Sequence, residues 1–224
     1  SSSMYFPFEE GKPSDKQLNK INFSVHAAAA LTELLRRQRD AIGLSTFSNV
    51  IEHHFPAKSS PLHLKLMYNE LEKMLEVHRP EIKRQSNVSD ALHQLAEVIH
   101  KRSLVIIFSD MFDTGVNEEM LFSALQHLKH KRHEVILFHV NEKQTEIDFN
   151  FENRPYRFID MESGDEIKMN PNDIKEKYLE SINKYTTDLK IKCSQFGIDF
   201  VEADISGGYY PILFSYLIRR QAIL

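Results

Sequence analysis

A single cysteine, Cys193, stands among 224 residues. No internal disulfide framework is possible, so the fold must rest on its core. Cys193 lies within a helical pattern and reads as a small buried hydrophobe. Lys190 and Lys192 turn to other faces of that helix and do not activate it. No apolar run approaches the ~20 residues of a membrane span, so no direct insertion is expected. No secretory leader is legible, and the expected compartment is the cytoplasm. Charge of one sign is scarce too: 28 Lys and Arg face 32 Asp and Glu, a formal net charge of −4. That balance gives no electrostatic case for nucleic acid. There is no G-x-S-x-G elbow, no Walker loop, no G-x-G-x-x-G and no HExxH pair. The eleven histidines are scattered, and His93, His127 and His130 read as solvent-facing. No Pro- or Gly-rich linker, repeat or low-complexity tract divides the chain.

What is present is an ordinary globular composition, 42% hydrophobic and 27% charged, too apolar for disorder. Residues 21–40 carry apolar residues at helical spacing and end in a basic turn. Residues 41–50 and 50–57 suit two strands of a hairpin. Residues 60–77 read as an amphipathic helix with Pro61 in its first turn, and 88–102 as another. SLVIIFSD (103–110) and HEVILFHVNE (133–142) are near-continuous apolar runs, the pattern of strands buried on both faces of a parallel sheet. A helix at 117–132 separates them. Two short strands flank Ser163-Gly164-Asp165 within 156–170. A long helix follows at 171–197, then a strand at 198–205 and a helix at 208–221. Strands alternating with helices predict an α/β fold, three-layered, with a mostly parallel sheet and helices on both faces. The expectation is one domain over 1–224 with a small β-hairpin insertion near 145–170. The runs 42–47, 104–108 and 134–140 are expected side by side in one sheet.

One element is missing from this pattern. The helix at 21–40 should follow a central strand, yet only a short loop precedes it. The expectation is that a strand lies just before Ser1. In doubly wound sheets ligands bind at the carboxyl ends of the strands, which places SSSMYF at such a loop. Ser1–Ser3, Ser86-Asn87 and Ser109-Asp110 all fall at predicted strand ends. Hydroxyls with one carboxylate are hard oxygen ligands that suit Mg²⁺ or Mn²⁺.

SSSM before a helix, SNVSDAL opening a helix and VIIFSD closing a strand resemble three loops of a von Willebrand factor A-type domain. In that family a D-x-S-x-S loop, a threonine loop and a later aspartate form a metal-ion-dependent adhesion site. The resemblance implies Ser1, Ser3, Ser86 and Asp110 as metal ligands. Ser2, Asn87, Ser109 and Asp113 would stand in the outer shell or on the partner-binding rim. AIGLSTFS, NVSDALHQLAEVIHKRSLVIIFSDMFD, HEVILFHV, RFIDMESGDEI, FGIDFVEADI and GYYPILFSYLIRR are similar, in order, to the bacterial family called domain of unknown function fifty-eight. That family is a von Willebrand A-like group associated with MoxR-type AAA+ ATPases. The resemblance implies a non-catalytic protein–protein interaction module working with such an ATPase in assembly or maturation of other proteins. A metal with an open position would accept the partner's carboxylate.

Three departures bear on the metal. The leading aspartate would lie two positions before Ser1, outside this chain. Ser86 stands where the family has threonine, and Asn87 where an acid is expected. The remaining hydroxyls and Asp110 alone would hold Mg²⁺ poorly. Other readings stay open. Ser86 or Asn87 equally suits an N-cap for the helix near Val88, and Asp113 a turn or helix cap. Tyr209 and Tyr210 read as core and rim packing. A metal-free scaffold is the alternative function. A metal-dependent hydrolase is the class-distinct one, disfavoured because phosphatases of that kind need a D-x-D loop that SSSM does not supply. On this reading the chain is not an enzyme.

Overall fold

A computed structural model describes residues 2–8, 16, 18–48, 50–76, 88–100, 102–111, 118–160 and 164–221, without the side chains of 219–221. After a 3-10 turn at Ser2–Tyr5 the elements run α1 (Lys20–Arg37), β1 (Ile42–Phe47), β2 (Ile51–Lys58), α2 (Pro61–Leu75) and α3 (Val88–Val98). They continue with β3 (Leu104–Ser109), α4 (Glu118–His130), β4 (Glu134–Asn141), a π-helical turn (Lys143–Ile147), β5 (Tyr156–Ile159) and β6 (Glu166–Met169). A 3-10 turn (Pro171–Asp173), α5 (Lys175–Gln195), β7 (Asp199–Asp204), a 3-10 turn (Ile205–Gly207) and α6 (Tyr209–Gln221) complete the chain.

The caps follow local chemistry. Ser60 accepts a hydrogen bond from the His63 amide, and Pro61 occupies the first turn of α2, where its missing N–H costs nothing. Asn19 accepts from the Asn22 amide and starts α1, which ends on Arg36 and Arg37.

β3, β4 and β7 form a parallel sheet in the order β3-β4-β7. Val105 pairs with Val135 and Phe138 with Val201. β4 lies between its neighbours and is buried from Val135 to Asn141, as its unbroken apolar run requires. Alternate residues of β4 enter two different cores. Val135 and Leu137 join Leu92, Leu121, Leu125, Leu189 and Cys193, so one face is covered by α3, α4 and α5. Ile136, Phe138 and Val140 join Phe23, Ala27, Leu213 and Tyr216, so the other is covered by α1 and α6.

The expected single sheet is corrected. β1 pairs antiparallel with β2 in a separate sheet, and β3 is an edge strand of its own. The hairpin extends the core sideways instead: Phe47 and Ile51 pack against the first cluster and Leu44 against the second. An apolar run reports burial, not which neighbour completes its hydrogen-bond ladder. Within the hairpin, a side chain at Gly43 would bring Cβ to 2.7 Å from the Phe55 carbonyl oxygen. The register shifts at this position, and the close backbone approach explains the glycine. β5 and β6 form a small antiparallel sheet, as the two short strands flanking Ser163-Gly164-Asp165 lead one to expect. Aromatic rings pack there, with Phe149 4.4 Å from Tyr178 between centroids.

Two local expectations are also corrected. α3 ends at Val98, short of residue 102. His93 and His127 are half-buried and face each other, Nδ1 to Nδ1 at 3.0 Å. Cys193 is fully buried, and burial pushes its thiol up to about 12. In native buffer it should therefore not react with Ellman's reagent at pH 8, and should release one equivalent of chromophore once guanidinium unfolds the chain. Rapid native labelling would contradict this packing.

Candidate functional site

The carboxyl ends of β3 and β4 meet the start of α1, and a fully buried lysine lies at their junction. The Lys20 ammonium is 2.9 Å from Asp110 Oδ2 and 2.6 Å from Glu146 Oε1. Both are charge-assisted hydrogen bonds. Lys20 has no exposed side-chain surface, and Asp110 retains 4%.

Each partner is held by its own element. Lys20 is the first residue of α1. Its amide donates to the Phe6 carbonyl at 3.0 Å, and its carbonyl accepts from the Ser24 hydroxyl at 2.7 Å. The Phe6 ring lies 5.7 Å from the ammonium. Asp110 directly follows β3. Its carbonyl accepts from His139 Nε2 at 2.9 Å, which leaves Nδ1 of His139 as a buried acceptor with no partner among the described residues. Burial holds His139 below the ordinary imidazole range, against the pull of Asp110, in keeping with a neutral ring. Met111 takes a positive φ of 51°. Its amide donates to Ser109 Oγ at 3.0 Å, and its carbonyl accepts from the Tyr185 hydroxyl. Glu146 lies on the π-helical turn after β4. Its second oxygen accepts from the Glu142 amide at 2.8 Å, and its carbonyl accepts from the Tyr178 hydroxyl.

The three charges tune one another. Burial works to lower the Lys20 pKa, but Asp110 and Glu146 outweigh it and hold the ammonium above the ordinary lysine value. Burial works to raise Asp110, but the Lys20 charge and hydrogen bonds from Lys20 and the Ser3 hydroxyl hold it below the usual carboxylate range. For Glu146 burial wins over Lys20, and its pKa is raised. Lys20 and Asp110 are therefore an ionised pair, with Glu146 as a second acceptor on the same cation.

Among the expected site residues, Ser3 and Asp110 are brought together, the hydroxyl donating to the carboxylate. Ser2 is buried in the same turn. Ser109 ties the loop to the Met111 amide. Ser1, Ser86, Asn87 and Asp113 lie outside the described residues. Asp110 is 3% exposed and bonded within the core, so it is not the loosely held loop residue that a strand-end position suggests.

Of the four residues expected to hold Mg²⁺ or Mn²⁺, Ser3 and Asp110 lie among the described residues. The described residues hold no group of three His, Cys, Asp or Glu that could bind a metal. More directly, one Asp110 oxygen already carries an ammonium. A dication about 4 Å from that charge would be repelled by roughly 8 kcal/mol at an effective dielectric of about 20.

Sequence reasoning missed Lys20 and Glu146. One signal was available for Lys20. A cation at the first position of a helix opposes the macrodipole, so a lysine between the Asn19 cap and an apolar run calls for an anionic partner. No signal marked Glu146, which is 126 residues away.

Set against known proteins, residues 10–187 match the model of a family described as Protein of unknown function DUF58. No curated protein matches the chain. A solved structure, the crystal structure of conserved hypothetical protein BatB from Bacteroides thetaiotaomicron, is similar at 16% identity and a TM-score of 0.50. The match covers all of this chain and 95% of that one. At that identity the likeness bears on the fold alone.

Proposed function

The chain belongs to the family described as Protein of unknown function DUF58, and from that membership and the geometry above we propose that it is a non-catalytic protein–protein interaction domain. We read the fold as von Willebrand A-like and the partner as a MoxR-type AAA+ ATPase in the cytoplasm, acting in assembly or maturation of other proteins.

One observation supports the reading most. The charged groups at the strand ends are satisfied by one another: Lys20 is fully buried, and its ammonium bonds Asp110 and Glu146. Catalytic acids and bases must reach a substrate. A closed cluster of this kind instead fixes α1, β3 and β4 relative to one another, and so presents a rigid rim. The metal-bridged form of the interaction draws on the meeting of Ser3 and Asp110. The metal-free form is favoured by the cation already bonded to that aspartate. The hydrolase reading has against it that Asp110 is enclosed.

Asp110→Ala is a poor probe of docking, because it would disturb the cluster itself. The exposed Lys143 and Gln144 lie on the rim directly after β4. The test is calorimetric titration against a co-encoded MoxR-like ATPase. Lys143→Glu combined with Gln144→Lys should weaken binding about tenfold or more. Arg132→Glu, at the opposite end of β4, should leave it unchanged, and EDTA should have no effect. Equal binding by wild type and rim variant would refute docking at this face. Loss of binding in EDTA, restored by Mg²⁺, would return the metal-bridged form.

A further inference from the structure

Three features suggest that the place a metal would take is already filled. The ammonium of Lys20 bonds two carboxylates from two different strand ends, at 2.9 Å and 2.6 Å. Its carbonyl and amide are both hydrogen-bonded, so the residue is fixed at its root. The aspartate it bonds also accepts from the Ser3 hydroxyl, so two of the groups that would ligate a cation are bonded to each other and, through Asp110, to a protein-borne one. We propose that Lys20 is the resident cation of this site, supplied by the chain in place of a divalent metal, and that it closes the site to Mg²⁺ and Mn²⁺.

The physical case is one of competition. Divalent binding would have to strip the dication of water and draw Asp110 away from a covalently tethered charge with no water to lose. Tethering makes the lysine's local concentration independent of solution conditions. Removing the ammonium has the opposite consequence. Asp110, Glu146 and Ser3 would remain as a hard oxygen set with uncompensated negative charge, the kind of group a dication seeks. This inference concerns the chain by itself, so its test is separate from that of any partner.

Mn²⁺ is the probe. In electron paramagnetic resonance, wild-type protein should leave the six-line signal of free Mn²⁺ undiminished. In ¹H–¹⁵N spectra the amides of Ser3, Lys20 and Asp110 should escape paramagnetic broadening, a measurement that needs no variant. Lys20→Ala should deplete the free signal by one equivalent, and its melting temperature should rise with added Mn²⁺. Adding Asp110→Asn to that variant should abolish both effects. One-to-one depletion by wild type, with broadening centred on Asp110, would overturn the proposal. So would a folded Lys20→Ala variant that ignores Mn²⁺.

Discussion

Replacing Lys20 by methionine is expected to destabilise the folded chain by about 3–5 kcal/mol. Methionine keeps much of the aliphatic volume, so the loss isolates the charge. Asp110 would then be a buried carboxylate without its counter-ion, and Glu146 would lose the donor on Oε1. The cost comes from the abandoned partners more than from the lost attraction. The triple variant Lys20→Met, Asp110→Asn, Glu146→Gln should therefore recover much of the stability, since neutral groups in the same places carry far less desolvation penalty. Urea unfolding followed by circular dichroism measures both. A Lys20→Met variant within about 0.5 kcal/mol of wild type would mean that the ammonium is not enclosed as described.

Phe138→Ala should cost a similar amount, about 3–5 kcal/mol, for a different reason. Phe138 is 1% exposed on the central strand. Its ring stacks on Phe108 at 4.9 Å and meets Tyr216 edge-on at 5.8 Å, so truncation opens a cavity and removes two aromatic contacts. Phe214, half-exposed on α6, is the control. Its replacement by alanine should change stability by no more than about 0.5 kcal/mol. A small effect at Phe138 would show that α6 does not pack on β4.

The elements were legible where local chemistry decides them. VILFHV could only be a strand covered on both sides. Ser60-Pro61 marked a helix start, and Gly164, with a positive φ of 79°, marked the turn between β5 and β6. What could not be read was partnership across the chain. The hairpin of residues 41–57 was legible and is observed, but nothing in AIGLSTFS says that its strand stays out of the sheet formed by residues 104–109 and 134–141. The site was half legible for the same reason. Ser3 and Asp110 stand at recognisable strand-end loops. Lys20 lies 90 residues from Asp110, at the edge of a helix read as beginning at residue 21. A buried ion pair leaves no periodic trace. Its trace is a single residue in electrostatically poor company, and that is visible only once the helix start is placed one position earlier.

The cation at the carboxyl ends of β3 and β4 is proposed to belong to the protein. The most direct measurement is a crystal structure of the wild-type chain grown in excess MnCl₂, with anomalous data collected at the manganese edge. No anomalous peak is expected at Asp110, with the Lys20 ammonium in hydrogen-bond contact with Asp110 and Glu146. A manganese ion coordinated by Ser3 and Asp110, with Lys20 swung away, would contradict it.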